Sequence, residues 1–124
     1  MRLLLDTHIF YWSFYERERL SRKALALIDG SEAIYVSSAS MWEIAIKVRL
    51  GKMNADPQEM LSSIGESGFE ELPVFSRHAI LIAQLPLLHT DPFDRLLIAT
   101  ALTLKVPILS ADEVFRRYTV EVLW

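Results

Sequence analysis

Three short, nearly unbroken apolar runs constrain the fold of this chain more than anything else in it. They are Leu3-Leu4-Leu5 within RLLLD, residues 33–36 within AIYVS, and Ile108-Leu109 within PILSAD. A strand wet on one face alternates apolar with polar residues, whereas a continuous run signals burial on both faces. Helical patterns fill the spaces between. Residues 7–20 (THIFYWSFYERERL) read as an aromatic-rich helix opened by Thr7, and 21–31 as a helix capped by Ser21 and stopped by Gly30. Residues 38–52 form a third helix, with Trp42, Ile46 and Leu50 on one stripe and Gly51 as its stop. Asp56-Pro57 opens a fourth helix over 56–67, and Pro73 confines the short strand FEELPV to an edge or an end. A short helix over 76–85, a long one opened by Asp91-Pro92, and a terminal strand in YTVEVLW complete the chain. Strands and helices alternate throughout, which predicts an α/β fold with a parallel sheet covered on both faces.

The chain has 124 residues, the size of one domain with a real core. Its apolar fraction of 52% suits strands buried on both faces, or a surface covered by a partner. No run is long enough to cross a bilayer, and Asp6 interrupts the apolar N-terminus where a signal peptide would need continuity. The absence of cysteine excludes disulfides, thiolate catalysis and cysteine zinc sites, and a cytoplasmic location is expected. With a net charge of −3, the chain cannot bind nucleic acid by overall charge alone. It needs a local basic patch or cations of its own. Four glycines leave no room for a glycine-rich phosphate loop.

The decisive question is where the sixteen acids fall. In open parallel sheets, ligands bind beyond the carboxyl ends of the strands. Asp6 ends the first apolar run, Asp112 follows the run PIL, Glu43 lies early in the helix after AIYVS, and Asp94 lies in the first turn of its helix. All four belong to segments that emerge at one edge of the sheet. Each also has a local reading. Asp6 and Asp112 can cap helical turns, Glu43 can pair with Lys47 one turn on, and Asp94 can complete a capping box begun by Asp91. Carboxylates crowded together raise one another's pKa unless a cation neutralises them. An all-oxygen donor set without Cys or His suits Mg2+ or Mn2+, whose chemistry is phosphodiester displacement by an activated water.

In chain order, LLLDTH, the segment S-x-x-x-x-WEIAIKVRLGK, H-x-DPFDRLLIATA and ILSAD resemble PIN domains. More narrowly, they resemble the VapC-type ribonuclease toxins of bacterial toxin–antitoxin pairs. The resemblance runs from Leu3 to about Asp112, and the WEIAIK and DPFDRLLIATA blocks are its specific parts. It implies a three-layer α/β/α fold with a central, mainly parallel sheet, residues 1–124 forming a single PIN domain. It also implies Mg2+- or Mn2+-dependent endonucleolytic cleavage of RNA. Asp6, Glu43, Asp94 and Asp112 match the family's acidic quartet, and Thr7 and Ser110 its small polar positions beside the metal. On this reading Asp6 and Asp94 ligate the metal and Asp112 completes its shell or a second site. Glu43 either ligates through water or orients the attacking water. A homodimer and a cognate antitoxin that can block the acidic site are implied as well, with DNA reached only through the antitoxin.

Lys47, Arg49, Lys52 and Arg95 are the candidate phosphate contacts, against an ordinary solvated role for each. His8 is expected on the first helix and His89 in a turn. The block Phe10, Tyr11, Trp12, Phe14 and Tyr15 exceeds what one helical stripe can bury, leaving some of it for an interface or for stacking bases. Two rivals remain. One is a phosphohydrolase with Asp6 as nucleophile, which wants a second acid where this chain has His8. The other is a PIN-like or receiver-like module that binds RNA or protein without cutting.

Overall fold

In the computed structural model, which describes all of residues 1–124, the three apolar runs form the middle of a five-stranded sheet. Strand β1 (Arg2–Leu5) lies between β2 (Ala33–Ser37) and β4 (Ile108–Leu109). β3 (Glu70–Leu72) flanks β2 and β5 (Val122–Leu123) flanks β4, giving the order β3-β2-β1-β4-β5. Every pairing is parallel, so each connection crosses over a face of the sheet.

The period-2 geometry of β1 explains its three leucines. Leu3 and Leu5 point into a core with Ile9, Phe10, Ile34 and Val36, while Leu4 points into a second core with Leu97, Ile98, Ile108 and Phe115. All three are fully buried. Helices α1 (Thr7–Tyr15), α2 (Arg22–Gly30) and α4 (Pro57–Glu66) supply the first core. Helix α6 (Pro92–Leu104) and a 3-10 turn at Glu113–Arg117 supply the second. The result is the three-layer α/β/α arrangement expected. Helix α3 (Ser38–Arg49) packs against α1, α4 and α6, and α5 (Ser76–Ile82) against α6.

The caps fall where the sequence put them. Asp6, Ser21, Asp56 and Asp91 each accept a hydrogen bond from a first-turn backbone N–H of α1, α2, α4 and α6. Three expectations need correcting. The first helix ends at Tyr15, because Glu16 leaves helical geometry (φ −144°, ψ 57°) and a separate 3-10 turn covers Arg17–Arg19. α5 stops at Ile82, short of residue 85. The third difference is larger. The stripe Trp42, Ile46 and Leu50 faces outward, with Trp42 63% and Leu50 62% exposed. α3 instead buries Ala39, Ser40, Glu43 and Ile44. With Glu43 turned inward, Trp42 lies about 100° round the helix from it and faces solvent, and Leu50 is exposed at the C-cap, where the helix ends. Trp42 then rests edge-on against Phe93, with ring centroids 5.1 Å apart.

Candidate active site

The chain winds outward from β1 in both directions, so β1 and its neighbours mark the switch point where an α/β sheet opens a crevice. Asp6 stands there, immediately after β1. As the N-cap of α1 it accepts a hydrogen bond from Ile9 N through Oδ1 at 2.7 Å, and its Oδ2 accepts one from Ser110 Oγ. Ser110 follows β4 directly, and its Oγ also accepts from Asp112 N at 3.0 Å. Thr7 Oγ1 donates to Ser40 Oγ at 2.9 Å and ties α1 to α3 beneath the acids. Both Thr7 and Ser110 are buried.

Glu43 comes inward from α3 and is 4% exposed. Its Oε2 pairs with Lys47 Nζ at 2.7 Å, the helical ion pair expected from the spacing. Its Oε1 is buried without a hydrogen-bond partner. Asp94 lies in the first turn of α6, its backbone N–H held by Asp91 Oδ1 at 2.9 Å. Asp94 Oδ2 lies 3.3 Å from His89 Nε2. Asp112 is exposed and caps the following 3-10 turn through Val114 N at 3.0 Å.

Burial, then Asp91, Glu43, Asp112 and Asp6, push the Asp94 carboxyl up from the ordinary carboxylate range to about 7. Burial also raises Asp6, partly offset by its hydrogen bonds from Ser110 and Ile9. No three of these side chains converge on one point at ligating distance; each engages a protein donor instead. The donor set still fits a hard divalent cation. It is all oxygen, Glu43 offers a buried orphan Oε1, and Asp94 Oδ1 accepts no protein hydrogen bond. Beside the acids opens a cavity of about 260 Å³ lined by Asp6, His8, Ile9, Trp12, Ala111 and Asp112.

Among the expected basic contacts, Arg49 and Lys52 are exposed at the far end of α3, and Lys47 is held by Glu43. Arg95 is a correction. It is buried, and its guanidinium donates to the carbonyls of Pro86 (2.8 Å), Ile82 (3.2 Å) and Leu85 (3.4 Å) and to Tyr118 Oη (3.1 Å). It fastens the segment after α5 to α6, with both Nη atoms engaged by protein acceptors. His89 was expected in the turn alone, yet it bridges Asp94 and Tyr118, with Nδ1 2.7 Å from Tyr118 Oη. Only the fold brings residues 89 and 118 together, so no local spacing reveals this contact. The aromatic block divides as well. Phe10 is core, whereas Tyr11 Oη donates to Asn54 O and Tyr15 Oη bonds Asp56 N and Glu59, pinning the approach to α4.

A parallel α/β sheet with acids from four segments near its switch point, two of them (Asp6 and Glu43) buried, defines a class of α/β domains with an acidic crevice. A model of the PIN domain matches residues 3–121, and the chain belongs to the PIN domain family. Solved structures agree on the fold. The chain resembles one from VapBC2 of Rickettsia felis bound to a promoter DNA fragment, with TM-score 0.75 and 18% identity over 99% of this chain and 98% of that one. It resembles one from FitAcB of Neisseria gonorrhoeae with TM-score 0.67 and 21% identity over 98% and 96%. A DNA-bound VapBC from Salmonella typhimurium gives TM-score 0.65 and 17% identity over 99% and 97%. No curated protein matches the sequence closely.

Proposed function

We propose that this chain is an Mg2+- or Mn2+-dependent endoribonuclease and the toxin of a type II toxin–antitoxin pair. The observation that supports the reading is the buried, unpartnered Glu43 Oε1 in company with Asp6 and Asp94, whose carboxyls burial and neighbouring acids hold above the ordinary range. Asp6 and Asp94 would hold the cation with Asp112, and Glu43 would join through water or orient the attacking water. A divalent cation bound there supplies positive charge to a phosphate oxygen and acidifies a neighbouring water.

The work of the chain itself is positional. Ile9 N–H and Ser110 Oγ fix both oxygens of Asp6, and each oxygen keeps a second lone pair for a ligand. Lys47 holds Glu43 Oε2 and leaves Oε1 free to accept a hydrogen bond from water. Arg49 and Lys52 are the exposed cations left to meet the RNA backbone. Water attacking phosphorus with loss of the 3′ oxygen leaves a 5′-phosphate and a 3′-hydroxyl. Induced expression is expected to arrest growth and create new RNA 5′ ends, both absent in an Asp6→Ala strain. Arrest that persists in that strain would contradict the reading. In vitro, EDTA is expected to remove cleavage entirely and excess Mn2+ to restore it.

Structures of similar fold include VapBC and FitAB assemblies bound to DNA, which supports an antitoxin partner and DNA contact through that partner. The outward stripe Trp42, Ile46 and Leu50, with Val74 and Phe75 also exposed, supports a homodimer through this face. Leu50→Lys is expected to shift the chain to monomer in velocity sedimentation, with a monomer stability change below about 0.5 kcal/mol. An unchanged sedimentation coefficient at all concentrations would remove this face from the assembly.

A further inference from the structure

Arg95, Tyr118, His89 and Asp94 form a connected hydrogen-bond chain, which an ionised Asp94 ends as an acceptor. A guanidinium can only donate and an ionised carboxylate can only accept. Tyr118 Oη accepts from Arg95 Nη1 at 3.1 Å, so its own hydrogen is available to His89 Nδ1 at 2.7 Å. With Nδ1 accepting, the imidazole carries its hydrogen on Nε2 and donates to Asp94 Oδ2 at 3.3 Å. A doubly protonated ring donates from Nε2 as well, so this last link holds in either charge state. We propose that His89 is a positioning residue for the cation site, holding Asp94 Oδ2 so that Oδ1 remains for the metal, with Tyr118 and Arg95 as its anchor.

Several features argue against a merely structural histidine. Helix α6 already has its N-cap in Asp91, so His89 is not needed to start it. The ring packs against Tyr118 at 66° with centroids 5.4 Å apart, which fixes its plane independently of Asp94. Arg95 in turn holds Tyr118 while gripping the carbonyls of Ile82, Leu85 and Pro86, so the anchor belongs to the buried framework and not to a free turn. The His89 contact falls on Oδ2 alone, so Asp94 Oδ1 has no protein donor. Partners that orient ligating side chains typically change metal affinity by about 10- to 100-fold when removed.

The inference rests on Asp94 being a metal ligand, and the test separates the two. Mn2+ binding to the full chain without RNA is measured by titration calorimetry, beside thermal unfolding in EDTA and the kcat–KM split on single-stranded RNA. His89→Ala is expected to weaken Mn2+ by about tenfold or more and to lower kcat with KM nearly unchanged. His89→Gln, whose amide can donate to Asp94 from a similar position, is expected to recover most of the affinity. Tyr118→Phe is expected to lose several-fold. Unchanged Mn2+ affinity in His89→Ala overturns the proposal and leaves the site reading standing. An affinity loss that tracks the loss of melting temperature, without recovery in His89→Gln, overturns it as well. No saturable Mn2+ binding by the unaltered chain overturns both.

Discussion

Asp94→Asn is expected to lower RNA cleavage by at least about 10³-fold, because it removes a charge that the cation site requires. The same substitution is expected to stabilise the metal-free protein at pH 8. The sign follows from the raised pKa. In the fold the Asp94 carboxyl titrates at about 7, well above its value in an unfolded chain, so folding favours the neutral form. The stability this group supports is complete below the unfolded pKa and is lost as pH rises through about 7. The unaltered chain in EDTA is therefore expected to melt lower at pH 8 than at pH 5. After allowance for solvent screening of a half-buried group, the difference is on the order of 2 kcal/mol. In Asp94→Asn much of that difference disappears, since Asp6 keeps its own raised pKa. Millimolar Mg2+ is expected to restore stability at pH 8 in the unaltered chain and not in the variant. A pH-independent melting temperature for the unaltered chain in EDTA would show that Asp94 is not held in a crowded acidic cluster.

Arg95→Met is expected to destabilise the fold by about 3 kcal/mol or more. The guanidinium is buried and satisfies three backbone carbonyls and Tyr118 Oη at once. Methionine fills a similar volume but leaves those acceptors without a donor, at about 1–3 kcal/mol for each that water cannot reach. For a chain of this length the melting temperature falls by roughly 10 °C. Arg95→Lys is not a rescue, because an ammonium cannot spread over four acceptors as a planar fork does. Arg49→Ala, at an exposed site, is the contrasting control and is expected to leave stability within about 0.5 kcal/mol. If Arg95→Met melts like the unaltered chain and only RNA binding weakens, Arg95 belongs on the nucleic-acid surface after all.

Arg95 also shows where sequence reasoning stops. An arginine one residue after a site acid looks like a phosphate contact, and nothing local reveals that three carbonyls and a tyrosine enclose it. The elements that were legible in the sequence were those fixed by local chemistry. The uninterrupted leucines of β1 demanded burial on both faces, and Asp56-Pro57 and Asp91-Pro92 announced helix starts through the N-cap and the proline that follows it. The face of α3 was misread because an apolar stripe and a buried glutamate compete for the same helix. Periodicity registers hydrophobicity, whereas the fold turns Glu43 towards the other acids and leaves Trp42 outside. The link from His89 to Tyr118 was invisible for a simpler reason. It joins a turn to the end of the chain, and no spacing rule connects them.

The most direct measurement is incubation of the purified chain with single-stranded RNA, followed by mapping and chemical identification of the new ends. The account predicts internal cuts bearing 5′-phosphate and 3′-hydroxyl groups in Mg2+ or Mn2+, none in EDTA, and none with Asp6→Ala or Asp94→Asn. Cuts of equal rate in those variants, or intact RNA with the unaltered chain across both cations, would contradict it.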